Sequence, residues 1–144
     1  MCIRDSTHSG QVAFPGGRAD PEDASPADTA LREAQEEVGL DRAFVEVLGT
    51  LPTYVTGSSF IITPVVALVQ PDCVLQPNPY EVADLFEVPL AFLLDPAHHR
   101  RHVFDRDGVH REWFSMPYEQ GGKTHFIWGA TAGMLRNFYR FMQA

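Results

Sequence analysis

The stretch LREAQEEVGL, residues Leu31 to Leu40, predicts an amphipathic helix whose polar face collects acidic side chains. Because residues three and four positions apart share one face of an α-helix, Glu33, Glu36 and Glu37 project in nearly the same direction. Apolar residues recur at helical spacing on roughly the opposite side, at Ala27, Leu31, Ala34 and Val38. Such a stripe is suited to packing on a sheet, so the fold must give this helix one buried and one acidic face.

The sequence also predicts where this helix begins and ends. Ser25 is a favourable N-cap, Pro26 fits the first helical position, and Asp28 is placed to complete a capping box. Gly39 follows the last turn and supplies the residue that adopts a left-handed backbone at a helix end. The helix is therefore expected to begin at Pro26 and to end before Gly39.

The acidic face has an energetic cost that needs an explanation. Glu33 and Glu37 form a like-charge pair four residues apart, which destabilises a helix by about 0.2–0.5 kcal/mol. The positions where a lysine or arginine would offset that cost hold Glu37, Leu40 and Asp41. One explanation is a solvated acidic surface. The other is a bound cation, since Mg²⁺ takes oxygen ligands and uses few carboxylates together with substrate phosphates.

The residues before the helix favour the cation. Pro15-Gly16-Gly17 predicts a tight turn whose backbone carbonyls can approach an ion closely. Turn, loop and helix together resemble the Nudix box, the signature of hydrolases that cleave nucleoside diphosphates linked to another moiety. The second half of that box is matched at every fixed position from Arg32 to Leu40. The first half departs from it, because Asp23 stands at the glutamate position and eight rather than seven residues then precede Arg32.

Composition narrows the class of protein. A chain of 144 residues with 44% hydrophobic residues is long enough for one domain with its own core. Its net charge of −8 argues against a nucleic-acid surface and means that divalent cations must offset the repulsion of a polyphosphate. The only basic concentration, His98–His102, is either a solvated loop or strand end, or a contact to a substrate phosphate.

Location and membrane association follow from the same composition. No apolar run is long enough to span a bilayer, and the opening residues lack the pattern of a secretory signal. Cys2 and Cys73 predict neither a disulfide framework nor a metal site, so both are expected to be free thiols. A cytoplasmic protein with no membrane partner is therefore expected.

The hydrophobic pattern predicts an α/β sandwich in which a mixed sheet lies between helices, and the Nudix resemblance implies the same fold. A second helix is predicted from Trp128 to about Met142, and a short helical turn over Leu90 to Leu94. Strands are predicted at Gln11–Phe14, Phe44–Leu51, Ile61–Val69, Asp84–Val88, His102–Phe104 and Arg111–Met116.

Further segments resemble one branch of this family, the coenzyme A pyrophosphatases. They are the glycine signature from Gly10 to Gly17, TALRE at Thr29–Glu33, NPYEVADLFEVPLAFLLDP at Asn78–Pro96, and HFIWGATAGML at His125–Leu135. The resemblance implies metal-dependent hydrolysis of the diphosphate of coenzyme A or its acyl derivatives, giving 3′,5′-adenosine bisphosphate and 4′-phosphopantetheine. The alternatives are a Nudix enzyme acting on ADP-ribose or nucleoside triphosphates, and an inactive nucleotide-binding module.

The resemblance also implies roles for individual residues. Mg²⁺ or Mn²⁺ is expected on Glu33, Glu37, Glu36 and the carbonyl of Gly16. Glu81 is expected to act as the base, Glu33 to take part in catalysis, and Arg32 to orient it. Substrate contacts are assigned to Gly17, Phe14 and Gln11.

The opening residues MCIRDS do not fit the resemblance. Related chains carry a first strand here and an arginine at the position of Ser6, so residues 1–6 are expected to be a non-native or truncated leader. The domain is then expected to span 7–144 and to lack its first strand. An unshielded sheet edge favours pairing between chains, so a homodimer is an expected partner state.

Overall fold

The computed structural model describes Cys2–Ile3 and residues 10–144, which form two compact units. The first unit comprises Phe14–Leu85 together with Cys2–Ile3 and Gly10. The second comprises Gln11–Ala13 and Phe86–Ala144. The predictions for Ser6 and for most of the 1–6 leader concern residues that lie outside the described part of the chain.

The first unit joins one long helix to short antiparallel strands. Its elements are β1 (Cys2–Ile3), α1 (Pro26–Val38), β2 (Val45–Thr50), β3 (Tyr54–Val55), β4 (Ile61–Ile62), β5 (Val65–Val69) and β6 (Val82–Asp84). Strands β1 and β6 pair, as do β2 and β5, and β3 and β4. Helix α1 lies against β5 and buries Ala34 and Val38, as the apolar stripe predicts.

The ends of α1 agree with the sequence prediction. The hydroxyl of Ser25 accepts a hydrogen bond from the backbone N–H of Asp28 at 3.2 Å, and Gly39 ends the helix with φ 67°. The Asp28 carboxylate does not close a capping box, because it accepts a 2.7 Å hydrogen bond from Arg42 instead. That ion pair ties the start of the helix to the turn that follows it.

The second unit is an antiparallel meander covered by a helix. Its elements are α2 (Leu90–Leu93), β7 (Arg100–Arg106), β8 (Val109–Gln120), β9 (Lys123–Trp128) and α3 (Gly129–Gln143), with strand order β7-β8-β9. Helix α3 packs on β8 and β9, and the core consists of Met116, Ile127, Ala132 and Leu135. Ala132 and Leu135, which lie three residues apart on α3, are therefore part of the core.

The α/β class is confirmed, and every strand pairing among the described residues is antiparallel. Three predicted strands differ in detail. Gln11–Phe14 contains only an isolated bridge at Val12, and the segment predicted at Asp84–Val88 leaves the sheet after Asp84. The Ile61–Val69 run breaks at Thr63-Pro64, since proline has no N–H to donate to a ladder.

The basic cluster His98–His102 is largely bonded within the second unit. The Nε2 of His99 lies 2.7 Å from the carbonyl oxygen of Leu93, and its Nδ1 lies 3.0 Å from a nitrogen of Arg136. His102 Nε2 lies 2.7 Å from the Ser115 hydroxyl. These contacts favour a structural role for the cluster. None of the helices in the described residues is long and apolar enough to cross a membrane.

Candidate active site

Two glutamates of α1 lie side by side at the centre of the candidate site. Glu37 is buried, with 7% of its surface exposed, and Glu33 is one turn away with 17% of its side chain exposed. Burial raises the pKa of Glu37 to about 8, and the hydrogen bond to Glu33 and the charge of Glu33 add to the effect. The Glu37 carboxyl group therefore keeps its proton at neutral pH, hydrogen-bonded to Glu33.

Other groups around Glu37 act in opposite directions on its pKa. A backbone hydrogen bond from Gly16 lowers the pKa of Glu37, whereas the charge of Glu81 raises it. The glycine turn and the loop that carries Glu81, which the sequence analysis assigned to one site, thus both affect the pKa of Glu37.

Arg32 is held by a network of carboxylates. Its Nε and one terminal nitrogen donate to the two oxygens of Asp23, at 3.2 and 3.0 Å. The other terminal nitrogen donates to Glu33 at 3.2 Å and lies 3.7 Å from Glu36. Successive residues point about 100° apart on a helix, but the long arginine side chain bends back to reach Glu33. The contact to Glu33 matches the orienting role that the resemblance implies for Arg32.

Asp23 is the residue whose importance sequence reasoning missed. Its side chain is 8% exposed and also accepts hydrogen bonds from the Thr29 hydroxyl and the Asp20 N–H, both at 2.8 Å. The Arg32 guanidinium, with the N–H of Asp20, holds the pKa of Asp23 far below its usual range, and Asp23 in turn raises the pKa of Arg32. The sequence did contain a signal for this role, because Asp23 is the acidic residue at the glutamate position of the Nudix box. The longer loop between Asp23 and α1 brings it against Arg32.

Gly17 allows the turn to pass close to Glu33. A methyl group added at Gly17 would lie 2.5 Å from the carboxyl carbon of Glu33, which is an overlap. A larger residue here would displace the Glu33 carboxyl group, which is the end of a flexible side chain, and no unusual backbone angle is involved. The backbone of the turn therefore lies close to the acidic face of α1.

The loop that carries Glu81 is docked on the C-terminal end of α1. The free carbonyl groups of Glu37 and Val38 accept 2.8 Å hydrogen bonds from the backbone N–H groups of Asn78 and Gln76. The Asn78 carbonyl then accepts from the N–H of Glu81 at 3.1 Å. These bonds satisfy carbonyls that a helix end leaves free, and they set the position of Glu81.

The oxygen donors fit a hard divalent cation, although they are not arranged as a finished cluster. Within Cys2–Ile3 and residues 10–144, no three acidic, histidine or cysteine groups form a ready metal site. The cluster is incomplete partly because 57% of the Glu36 side chain is exposed and its carboxylate lies 3.7 Å from Arg32. The raised pKa of the buried Glu37 beside Glu33 is the observation that favours a cation, since a divalent ion relieves the repulsion between the two carboxylates.

The residues assigned to substrate contacts are placed differently. Phe14 and Gly17 belong to the first unit, and Phe14 is 53% exposed just before the glycine turn. Gln11 belongs to the second unit and is half-buried there. Their roles stay predictions.

Comparison with known proteins is consistent with these features. The profile of the NUDIX domain matches residues 2–120. The chain is 44% identical over 130 residues to an Escherichia coli protein named "Uncharacterized Nudix hydrolase NudL", which covers 90% of this chain and 65% of that protein. A protein of the same name from Photorhabdus laumondii is 44% identical over 138 residues, or 95% of this chain and 71% of that protein. The chain thus spans 65% of the length of the first of these relatives.

Proposed function

The chain belongs to the Nudix family, and from that premise we propose that it is a metal-dependent diphosphatase acting on coenzyme A and its acyl derivatives. The bond cut is the phosphoric anhydride, and the products are 3′,5′-adenosine bisphosphate and 4′-phosphopantetheine. The partner is a small molecule, and the proposed location is cytoplasmic.

The observation that carries the proposal is the buried carboxyl group of Glu37, which is hydrogen-bonded to Glu33 and lies within reach of the charge of Glu81. Burial and the neighbouring carboxylates raise the pKa of Glu37 to about 8, so the site concentrates negative charge that a divalent cation relieves. A structural surface helix would gain nothing from keeping such a pair buried. Perturbed carboxyl groups of this kind are typical of catalytic sites.

We assign the cation, Mg²⁺ or Mn²⁺, to Glu33, Glu36, Glu37 and the carbonyl of Gly16. When bound, it supplies positive charge that offsets the anionic oxygens of the diphosphate and makes water easier to deprotonate. The exposed Glu36 must turn from Arg32 to join this set, which its single 3.7 Å contact leaves it free to do.

The protein side chains then divide the remaining work. Arg32, itself fixed by Asp23, holds the Glu33 carboxylate in one orientation through the 3.2 Å hydrogen bond. Glu81 accepts the proton of the water that attacks phosphorus, since it is a carboxylate close enough to affect the pKa of Glu37. Hydrogen bonds from its loop to the end of α1 keep Glu81 in place during that step.

The choice of coenzyme A rests on segments outside the box. The glycine signature from Gly10, the segment from Asn78 and the final helix entry at His125 all resemble the coenzyme A pyrophosphatases. Substrate contacts are proposed for Gly17, Phe14 and Gln11 on the same ground.

A substrate panel tests the proposal directly. The protein is incubated with coenzyme A, ADP-ribose and deoxynucleoside triphosphates, each with Mg²⁺, with Mn²⁺ and with excess chelator. We expect coenzyme A to be the preferred substrate, with no turnover in chelator and with a loss of several orders of magnitude in Glu37→Gln. Mass spectrometry after reaction in ¹⁸O water should show one label on one of the two products. Preference for another nucleotide would contradict the substrate, and full activity in chelator would contradict the metal.

A further inference from the structure

Arg18, in the loop after the glycine turn, is an exposed cation beside the carboxylate site. The ion pairs within the described part of the chain do not include it, although Asp20, Glu22 and Asp23 follow within five residues. Arg32 is different, because its nitrogens donate to Asp23, Glu33 and the Arg18 carbonyl. Of these two arginines, Arg18 is therefore the one with donors left for an anion.

The backbone of Arg18 is fixed at the edge of the site. Its carbonyl accepts a 3.0 Å hydrogen bond from Arg32, whose other terminal nitrogen donates to Glu33. The preceding residue, Gly17, lies against the Glu33 carboxyl group. A single guanidinium thus separates the Arg18 carbonyl from the proposed catalytic carboxylate.

An aromatic ring lies near the guanidinium group of Arg18. Its guanidinium carbon lies 5.9 Å from the centre of the Phe60 ring, within the range of a cation–π contact. Arg18 is exposed and Phe60 is 49% exposed, so the pair lies at the surface, where an anion can reach the guanidinium group.

The loop between β3 and β4 is built to hold Phe60 in this place. Thr56 accepts a hydrogen bond from the Phe60 N–H on its hydroxyl at 3.0 Å and donates its own N–H to the Phe60 carbonyl at 2.9 Å. Ser59 adopts φ 66°, a left-handed angle that is unfavourable for a residue with a side chain. Backbone strain of this kind persists where the surrounding structure fixes it, and it clusters at functional sites.

We propose that Arg18, positioned by Phe60, binds a phosphomonoester on the part of the substrate that lies beyond the diphosphate. This inference rests on the proposed function, in which the cation on Glu33 and Glu37 meets the diphosphate itself. In coenzyme A the group is the 3′-phosphate of the adenosine half, which dephospho-coenzyme A lacks. Arg18 would therefore determine specificity between these two substrates.

Binding of two product-like ligands tests the assignment without requiring turnover. Titration calorimetry in Mg²⁺ compares 3′,5′-adenosine bisphosphate with AMP, which differ by one phosphate, on the whole chain. We expect the bisphosphate to bind about tenfold more tightly, since a charge-assisted hydrogen bond at a half-exposed site is worth about that factor. Arg18→Gln should remove this difference by weakening only the bisphosphate, and Phe60→Leu should reduce it.

Arg42→Gln is the matched control, because it removes the same charge from an exposed arginine of the same unit that pairs with Asp28. It should leave the ratio unchanged. An Arg18→Gln variant that keeps the preference, or weakens both ligands equally, would overturn the assignment, as would a wild-type chain with no preference. Turnover of coenzyme A is measured separately. A chain with an Arg18-dependent preference but no such turnover contradicts the proposed function alone.

Discussion

Replacing Glu37 by glutamine should make the protein more stable at pH 8 and leave it nearly unchanged at pH 5, when both are measured in excess chelator. Glutamine keeps a neutral donor toward Glu33 and so resembles the protonated side chain. In the folded protein, burial and Glu33 raise the pKa of Glu37 from 4.5 to about 8. As the pH rises above 4.5, the unfolded chain loses this proton while the folded chain retains it, so the wild-type protein loses stability up to about pH 8.

The size of the effect follows from the same pKa values. One pKa unit corresponds to about 1.4 kcal/mol, so the full rise sets an upper limit of about 5 kcal/mol. Local relaxation and water penetration lower the cost of a buried charge, so we expect about 2–3 kcal/mol at pH 8.

Urea unfolding at pH 5, 6, 7 and 8 measures the difference in unfolding free energy between wild type and variant at each pH. Glu36→Gln is the control, because that side chain is 57% exposed and its variant should follow the wild-type profile. Adding Mg²⁺ at pH 8 should raise the unfolding free energy of the wild type and should not raise that of Glu37→Gln. If the unfolding free energy of the wild type changed with pH in parallel with that of Glu37→Gln, the raised pKa of Glu37 would be refuted.

Three further substitutions test the parts around this pair. Asp23→Asn should lower activity about 10- to 100-fold with the fold retained, since it loosens the arginine that orients Glu33, and steady-state kinetics with circular dichroism would check this. Gly17→Ala should lower kcat about 10- to 100-fold by displacing the same carboxylate, whereas Gly49→Ala, which has open space around it, should have normal kinetics. Glu81→Gln should lower kcat about 10²- to 10⁴-fold with little change in KM, and an unchanged kcat would exclude it as the base.

The sequence by itself determined the local elements of this protein. The limits of α1 follow from Ser25, Pro26 and Gly39, because caps and helix ends depend on residues close together in the chain. The α/β class and the limits of α3 follow from hydrophobic spacing, which is also local. The acidic face of α1 could likewise be read directly, because helical geometry alone aligns Glu33 with Glu37.

The tertiary structure decided what those residues contact. The burial that raises the pKa of Glu37, the clamp of Asp23 on Arg32, and the contact of Gly17 with Glu33 each depend on the path of a loop that carries no periodic pattern. The position of Glu81 depends on hydrogen bonds between its loop and the last carbonyls of α1, more than 35 residues earlier. Contacts over such separations are set by packing and chain closure, so spacing in the sequence could indicate the candidates but not their partners.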